Sequence, residues 1–265
     1  MASLSAHALT GIPEVRPGDD LAALILDAMD GAPLREGQLV AIAHTAVSKA
    51  EGALVALSDV VASPRAHELA SGDGDAAPAR DPRVVQVVLD QSAEVLRSSR
   101  GVLICRTHHG FVCANAGVDA SNASADADAQ TLVLLPRDPD GSARSIRARL
   151  RALTRVGASG QTAPAVLISD SFGRAWRHGQ VDVTIGLAGM QPLDDWRGRT
   201  DASGMELRAT WLAIADAAAG AADLARAKDS REPVVIIDGL ERFIGEDDGP
   251  GAMALLRPLQ EDLFR

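Results

Sequence analysis

Asp170-Ser171 follows directly on the apolar run 163–169, so a carboxylate and a hydroxyl stand at the end of what reads as a buried strand. Hard oxygen donors of this kind suit Mg²⁺ or Mn²⁺. An aspartate capping a turn has the same local signature. Asp119 and Asn122 lie three apart after Gly117 and could face one ligand together, or each could cap backbone amides in an Asx-turn. Lys49 is one of only two lysines among 26 basic residues; Lys228 is the other, and 24 are arginines. Arginine is a planar fork and lysine a compact point charge, so a phosphate site that needs a point charge resists the exchange. A lysine left by chance on a surface loop is the alternative. Lys49 sits in His44-Thr45-Ala46-Val47-Ser48-Lys49, just after the run 39–43, and reads as part of a small-residue loop at a strand end. Near the N-terminus, Gly11-Ile12-Pro13-Glu14 could bring backbone N–H groups close to a phosphate, or simply turn the chain out of a first strand.

Several chemistries lack support. There is no G-x-x-x-x-G-K-[ST] or G-x-G-x-x-G, and no H-E-x-x-H, C-x-x-C or G-x-S-x-G. His108 and His109 are adjacent, and adjacent side chains on a strand point apart. A net charge of −10 argues against general nucleic-acid binding, which needs a basic face. An anionic ligand would therefore need a local positive site or bound cations. Cys105 and Cys113 flank a turn between two short strands and read as a reduced pair. The N-terminal stretch has no basic and apolar signal-like pattern, and no run approaches a membrane span. These features point to a soluble cytoplasmic protein.

The elements that must position these residues follow from periodicity. A capped helix spans about 21–29, a strand 38–44, and a helix begins at Asp81-Pro82 and runs to about Arg97. Paired strands cover 101–106 and 111–114, a polar loop 115–130, a strand 131–136 and an Arg-rich helix 142–156. The strands 163–169, 181–187 and 233–237 remain, with a long Ala-rich helix expected over 204–228 and a short helix at the C-terminus. A flexible polar loop fills 71–79. Strands and helices intermix without regular alternation, which favours α+β with mixed sheets and packed helices. The length of 265 residues fits a single domain over 1–265, with two subdomains as the alternative.

Taken in order, LTGIPEVRPGDDL, HTAVSKAEG, DPRVVQ, HGFVCANAGVDASN, ISDSFGRAWRHGQVDVTIGLAG, PLDDWRGRTDASGMEL, PVVIIDG and RPLQEDLFR resemble the coenzyme F420:L-glutamate ligase (F420-0:γ-glutamyl ligase) family over about residues 9–265. The resemblance implies GTP-dependent amide formation. L-glutamate is added to the lactyl carboxylate of coenzyme F420-0 through an acyl phosphate, and further glutamates join by γ-linkages. It implies Mg²⁺ or Mn²⁺ at two sites, K⁺ as a helper and an intertwined homodimer. By the same resemblance, Asp119 and Asp170 are ligands of one metal and Ser171 of a second. Gly11, Ile12, Pro13, Glu14, His44, Thr45, Lys49 and Asn122 are nucleotide contacts. Arg174, Arg177 and Asp182 fall in the most recognisable block and are candidate catalytic residues, with salt-bridged scaffolding as the alternative. His109 and Glu51 are candidate general bases. In actinobacteria a similar module is fused to a C-terminal nitroreductase-like domain, and Arg265 is where that fusion would begin, so the resemblance implies either the standalone form or one domain of a longer protein.

This chain departs from the family at two places. Ala217 follows Asp216 where an acidic residue is usual. The stretch 225–232 replaces a glycine-containing GQ or GK, and by the same resemblance Lys228 stands in for the family's Gln or Lys as a further nucleotide contact. Ser171 replaces the usual Thr and keeps the hydroxyl. Two rivals follow: a metal-dependent phosphohydrolase using Asp119 and Asp170, and a weakened homologue that only binds F420 or GTP.

Overall fold

Residues 39–43, 165–168 and 234–237 are apolar at every position, a pattern that demands burial on both faces of a sheet. In the computed structural model, which describes residues 3–71, 80–120, 130–154, 163–227 and 229–262, they form the inner strands of one five-stranded sheet. In chain order the strands are β1 (Ser5–Ala8), β2 (Leu39–Ala43), β3 (Leu54–Ala56), β4 (Ser92–Ser99), β5 (Val102–Thr107), β6 (Val112–Ala114), β7 (Thr131–Val133), β8 (Ala165–Arg174), β9 (Arg177–Ala188), β10 (Leu193–Asp195), β11 (Trp211–Ala213) and β12 (Val234–Asp238). The helices are α1 (Leu21–Ala28), α2 (His44–Glu51), α3 (Pro64–Ala70), α4 (Pro82–Asp90), α5 (Pro139–Thr154) and α6 (Ile214–Ala225). The expected α+β class, with mixed sheets and packed helices, is what the structure has.

The large sheet runs β1-β12-β2-β8-β9, with β2 and β8 parallel and the other neighbours antiparallel. Alternation along its strands feeds two cores. Val40, Ile42, Val166, Ile168 and Ile236 pack with side chains of α1, α2 and α5 on one face. Leu39, Ala41, Leu167, Val235 and Ile237 pack on the other face against Ala215, Ala218, Ala219 and Ala222 of α6. At about 1.5–3 kcal/mol for each buried Val, Leu or Ile, these two layers are the main apolar support of the site. A further core joins α3 and α4 to β5 through Ala66, Val85, Val88, Leu103 and Cys105. There Cys105 and Cys113 are direct partners across β5 and β6, buried and not bonded to each other.

Several elements differ from the sequence reading. The stretch around Lys49 is helix α2 and not a loop: Ala46 and Val47 are buried on one side of it, and Gly52 ends it at φ +69°. The helix expected to reach Arg97 stops at Asp90. Ser92 turns its hydroxyl onto the Val88 carbonyl at 2.6 Å, and the following residues pair with β5 as β4. Tertiary pairing overrides the helix preference of Ala, Glu, Leu and Arg there. The Ala-rich helix begins at Ile214, ten residues later than expected: the Asp201 carboxylate accepts from Ser203 N and Met205 N in a turn, and Trp211–Ala213 pair with β10 as β11 directly before the helix. Finally, β8 does not end at Ser169 but runs on to Arg174 as one arm of a hairpin with β9. The loop 72–79 and parts of 115–130 and 142–156 lie outside the described residues.

Candidate functional site

The parallel pairing of β2 with β8 stops at Ala43 opposite Ser169. Beyond it β2 turns into α2 while β8 continues, so the two diverge and leave a cleft at their carboxyl ends, where open α/β sheets commonly bind ligands. The cleft has a volume of about 800 Å³. A bulge between Ile168 and Ser169 shifts the β8–β9 register, so that Ser171 faces Asp182 and Asp170 faces Val183. Strand alternation then puts Asp170 on the side of Ile168 and Phe172, and Ser171 with Ser169 on the side of α6.

Each wall carries polar groups. His44 Nε2 lies 3.3 Å from Asp170 Oδ1, and its Nδ1 lies 3.4 Å from Ser48 Oγ, which fixes the buried ring at the start of α2. That helix start has no capping side chain, and His44, Thr45 and Ala46 line the cleft. An uncapped helix N-terminus favours anions through its amides and dipole. Lys49, 18% exposed, holds Glu14 at 2.5 Å from the loop after β1. Asp119 is fixed by two backbone bonds with Val133, each 2.9 Å. Before it, Asn115, Ala116 and Gly117 all have positive φ, a strained turn of the kind found at functional sites. Asn115 Oδ1 accepts from Arg80 at 3.0 Å and from Leu103 N at 3.3 Å. Cys113 also lines the cleft; burial, with Asp170 and Cys105 nearby, pushes its thiol up to about 12.

Ile12, Pro13, Glu14, His44, Thr45, Lys49, Asp119, Asp170, Ser171 and Asp182 therefore meet on one cleft. Gly11 lies one residue outside its lining, and a side chain there would meet nothing within 4 Å; its φ of +84° is what asks for glycine. Arg174 and Arg177 sit at the exposed hairpin end, where Arg174 donates to the His178 carbonyl at 2.5 Å. Neither lines the cleft. Glu51 accepts from Ser142 Oγ at 2.5 Å at the start of α5, and His109 Nε2 donates to the Pro136 carbonyl, 3.0 Å away; both are outside the cleft lining. Asn122 and Lys228 lie outside the described residues. Sequence reasoning passed over Asn115 and Arg226. Arg226 ends α6 and donates to Asp182 Oδ2, to Ser169 Oγ at 3.0 Å and to the Pro233 carbonyl at 3.1 Å. Its one signal was its place in the divergent stretch 225–232.

The donor set suits a hard divalent cation. Asp119 and Asp170 offer carboxylates, and Ser171 a hydroxyl on the other face of β8 from Asp170, hard oxygen donors of the kind Mg²⁺ takes. Among the described residues no group of three or more His, Cys, Asp or Glu side chains is gathered to hold a metal.

Fold and cleft together define an α+β protein with a mixed-charge cleft large enough for a phosphorylated small molecule. Comparison narrows the class. The model of the F420-0:gamma-glutamyl ligase family matches residues 11–239. The coenzyme F420:L-glutamate ligase of Methanopyrus kandleri is 43% identical over 254 residues, covering 95% of this chain and 94% of that protein. Those of Methanothermobacter thermautotrophicus and Halobacterium salinarum are 41% and 38% identical, each over 99% of this chain and 99% and 96% of their own lengths. This chain belongs to the F420-0:gamma-glutamyl ligase family.

Proposed function

We propose that the protein is a GTP-dependent ligase that joins L-glutamate to the lactyl carboxylate of coenzyme F420-0 and then adds γ-linked glutamates. The observation that carries this reading is the convergence of Glu14, Lys49, Asp119, Asp170 and Ser171, from separate stretches of chain, on one cleft. A carboxylate is a poor electrophile at neutral pH. One of its oxygens attacks the γ-phosphorus of GTP, the bond to the bridging oxygen breaks, and GDP leaves. The glutamate amine attacks the resulting acyl phosphate; the amide C–N bond forms, inorganic phosphate departs, and the amine proton passes to solvent. Positioning supplies most of the rate in chemistry of this kind.

The chain's residues divide this work. Lys49 releases Glu14 and sets its point charge on the phosphates, beside the uncapped first turn of α2 with His44 and Thr45. Gly11, Ile12, Pro13 and Glu14 border the nucleotide, with Asn122 and Lys228 as further contacts. Asp119 and Asp170 would hold one Mg²⁺ or Mn²⁺ and Ser171 a second, and such cations, with K⁺ as a helper, offset the anionic charge crowded between phosphates and carboxylate. The separation of Asp170 and Ser171 onto opposite faces of β8 supports two positions over one. Asp182 belongs to the scaffold of the site. The same reading makes the protein a cytoplasmic homodimer; no described helix is long and apolar enough to cross a membrane, and Trp176 at the hairpin end is 76% exposed.

The test is phosphate release from GTP with Mn²⁺ and F420-0, with and without L-glutamate. Release that depends on L-glutamate supports the ligase. Equal release without it would favour a phosphohydrolase built on Asp119 and Asp170.

A further inference from the structure

Three charged side chains lining the cleft have no hydrogen-bond or ion-pair partner among the described residues: Asp223, Arg231 and Glu232. Most of the other ionisable groups there are paired with one another, Glu14 with Lys49, His44 with Asp170 and Asp182 with Arg226. Asp223 is the one whose placement stability explains least. It stands in the last turn of α6, a turn that holds no basic residue. That end of a helix carries the partial negative charge of its carbonyls, which disfavours an anion and favours a cation. Arg226, three residues on, is at the spacing where Asp and Arg ordinarily pair on a helix. Its guanidinium goes instead to Asp182, Ser169 Oγ and the Pro233 carbonyl. Asp223 is left as a half-buried carboxylate on the cleft wall, with the helix end adding to its pull on a cation.

Its position separates it from the start of α2. Helix α6 packs on the sheet face of Leu39, Ala41 and Leu167, and α2, which carries Lys49, on the opposite face. The two approach the cleft from opposite sides of the end of β8. Arg231 lies in the connection from α6 to β12, at a φ of +56°. A left-handed backbone strains an arginine, and such strain recurs at functional sites. L-glutamate has one ammonium and two carboxylates, and an unpaired anion and an unpaired cation in one cleft match that pattern. Glu232 is in the same connection and has no helix end behind its charge.

We propose that Asp223 and Arg231 form the site of the amine substrate, with Asp223 receiving the ammonium of L-glutamate and Arg231 one of its carboxylates. This rests on the ligase reading, which so far gives L-glutamate no residue of its own. The ammonium passes one proton to the Asp223 carboxylate, and the freed amine forms the C–N bond at the acyl carbon. The bond from that carbon to the phosphate oxygen breaks, the departing phosphate takes a second proton, and Asp223 returns its own to solvent.

The test compares two nucleophiles. Hydroxylamine is largely uncharged at neutral pH and carries no carboxylate, so it traps an acyl phosphate as a hydroxamate without needing either residue. The protein is given GTP, Mn²⁺ and F420-0 with L-glutamate or with hydroxylamine, and the products are followed by mass spectrometry. Asp223→Asn and Arg231→Gln should each raise KM for L-glutamate by about 10–100-fold, the usual worth of a charged hydrogen bond. Asp223→Asn should also lower kcat. Both variants should form the hydroxamate at the wild-type rate, with KM for GTP unchanged. Neither substitution breaks a contact among the described residues, and the melting transition checks that both fold. A parallel loss of hydroxamate, or a raised KM for GTP, would put these residues on the nucleotide and overturn the assignment. Wild-type kinetics with L-glutamate would do the same, as would a selective loss in Glu232→Gln in place of Asp223→Asn. Wild-type protein that forms neither glutamyl product nor hydroxamate would sink the ligase reading itself, and the amine site with it.

Discussion

Lys49 and Asp170 carry the account at the scale of single residues. Lys49→Arg keeps the positive charge but replaces a compact ammonium with a broad fork, in a position already walled by Glu14. We expect kcat/KM for GTP to fall by about 10²-fold while the fold survives, a magnitude typical of losing one preorganised charge at a reacting phosphate or oxyanion. Unchanged GTP kinetics would mean the scarcity of lysine here is accidental. Asp170→Asn keeps the shape of the side chain beside His44 but removes the anionic donor. Turnover should drop by more than about 10²-fold, beyond the usual effect of an outer-shell change, with an unaltered melting curve. Retained activity would remove Asp170 from the site. Both residues were visible in the sequence, since each is a chemically demanding type at the edge of an apolar run. Arg226 was not, because one arginine among 24 carries no compositional signal; only the fold brings it to Asp182.

The elements show which parts of the frame the sequence announced and which it hid. Strands buried on both faces announce themselves as continuous apolar runs, and β2, β8 and β12 were legible for that reason. Helix α2 was hidden because no capping side chain marks its start, and the missing cap is what leaves its amides for a ligand. The boundary of α4 was hidden because a helix-compatible stretch is claimed by pairing with β5. One buried side chain in α5 ties distant segments together. Arg147, 1% exposed, donates to the carbonyls of Pro164 and Glu246 at 3.1 Å and of Gly245 at 2.6 Å, and pairs with Asp248 at 2.8 Å. Arg147→Ala leaves buried carbonyls unpaired and should cost about 3 kcal/mol in urea denaturation. Gly189→Ala should also destabilise, because its Cβ would stand 2.3 Å from Arg147 Nε and its φ is +81°. A neutral effect of either would mean that this C-terminal segment is not held through Arg147.

For the whole molecule, the carboxylates set how stability follows pH. Hydrogen bonds from Arg83 hold the Asp81 carboxyl below the ordinary 3.8, and for Asp238 the bonds from Arg35 and Gln38 outweigh a burial effect that pushes it up. Their stabilisation is complete above about pH 4 and is lost as pH falls through their folded values. Asp216 on α6 behaves oppositely: burial pushes its carboxyl above 3.8, although Thr184 N donates to it at 2.9 Å. Its ionisation in the unfolded chain, as pH rises above about 4, therefore lowers stability. Asp216→Asn should raise the melting temperature at pH 7, and the gain should vanish as pH falls to about 4; an equal gain at both would show that the effect is not titration. The central claim is tested most directly by the product. The protein is incubated with GTP, Mn²⁺, F420-0 and L-glutamate, and the F420 species are weighed by mass spectrometry. The account predicts a mass increase of one glutamyl unit, then further equal steps, matched by GDP formation. No glutamyl increment under any nucleotide would contradict it.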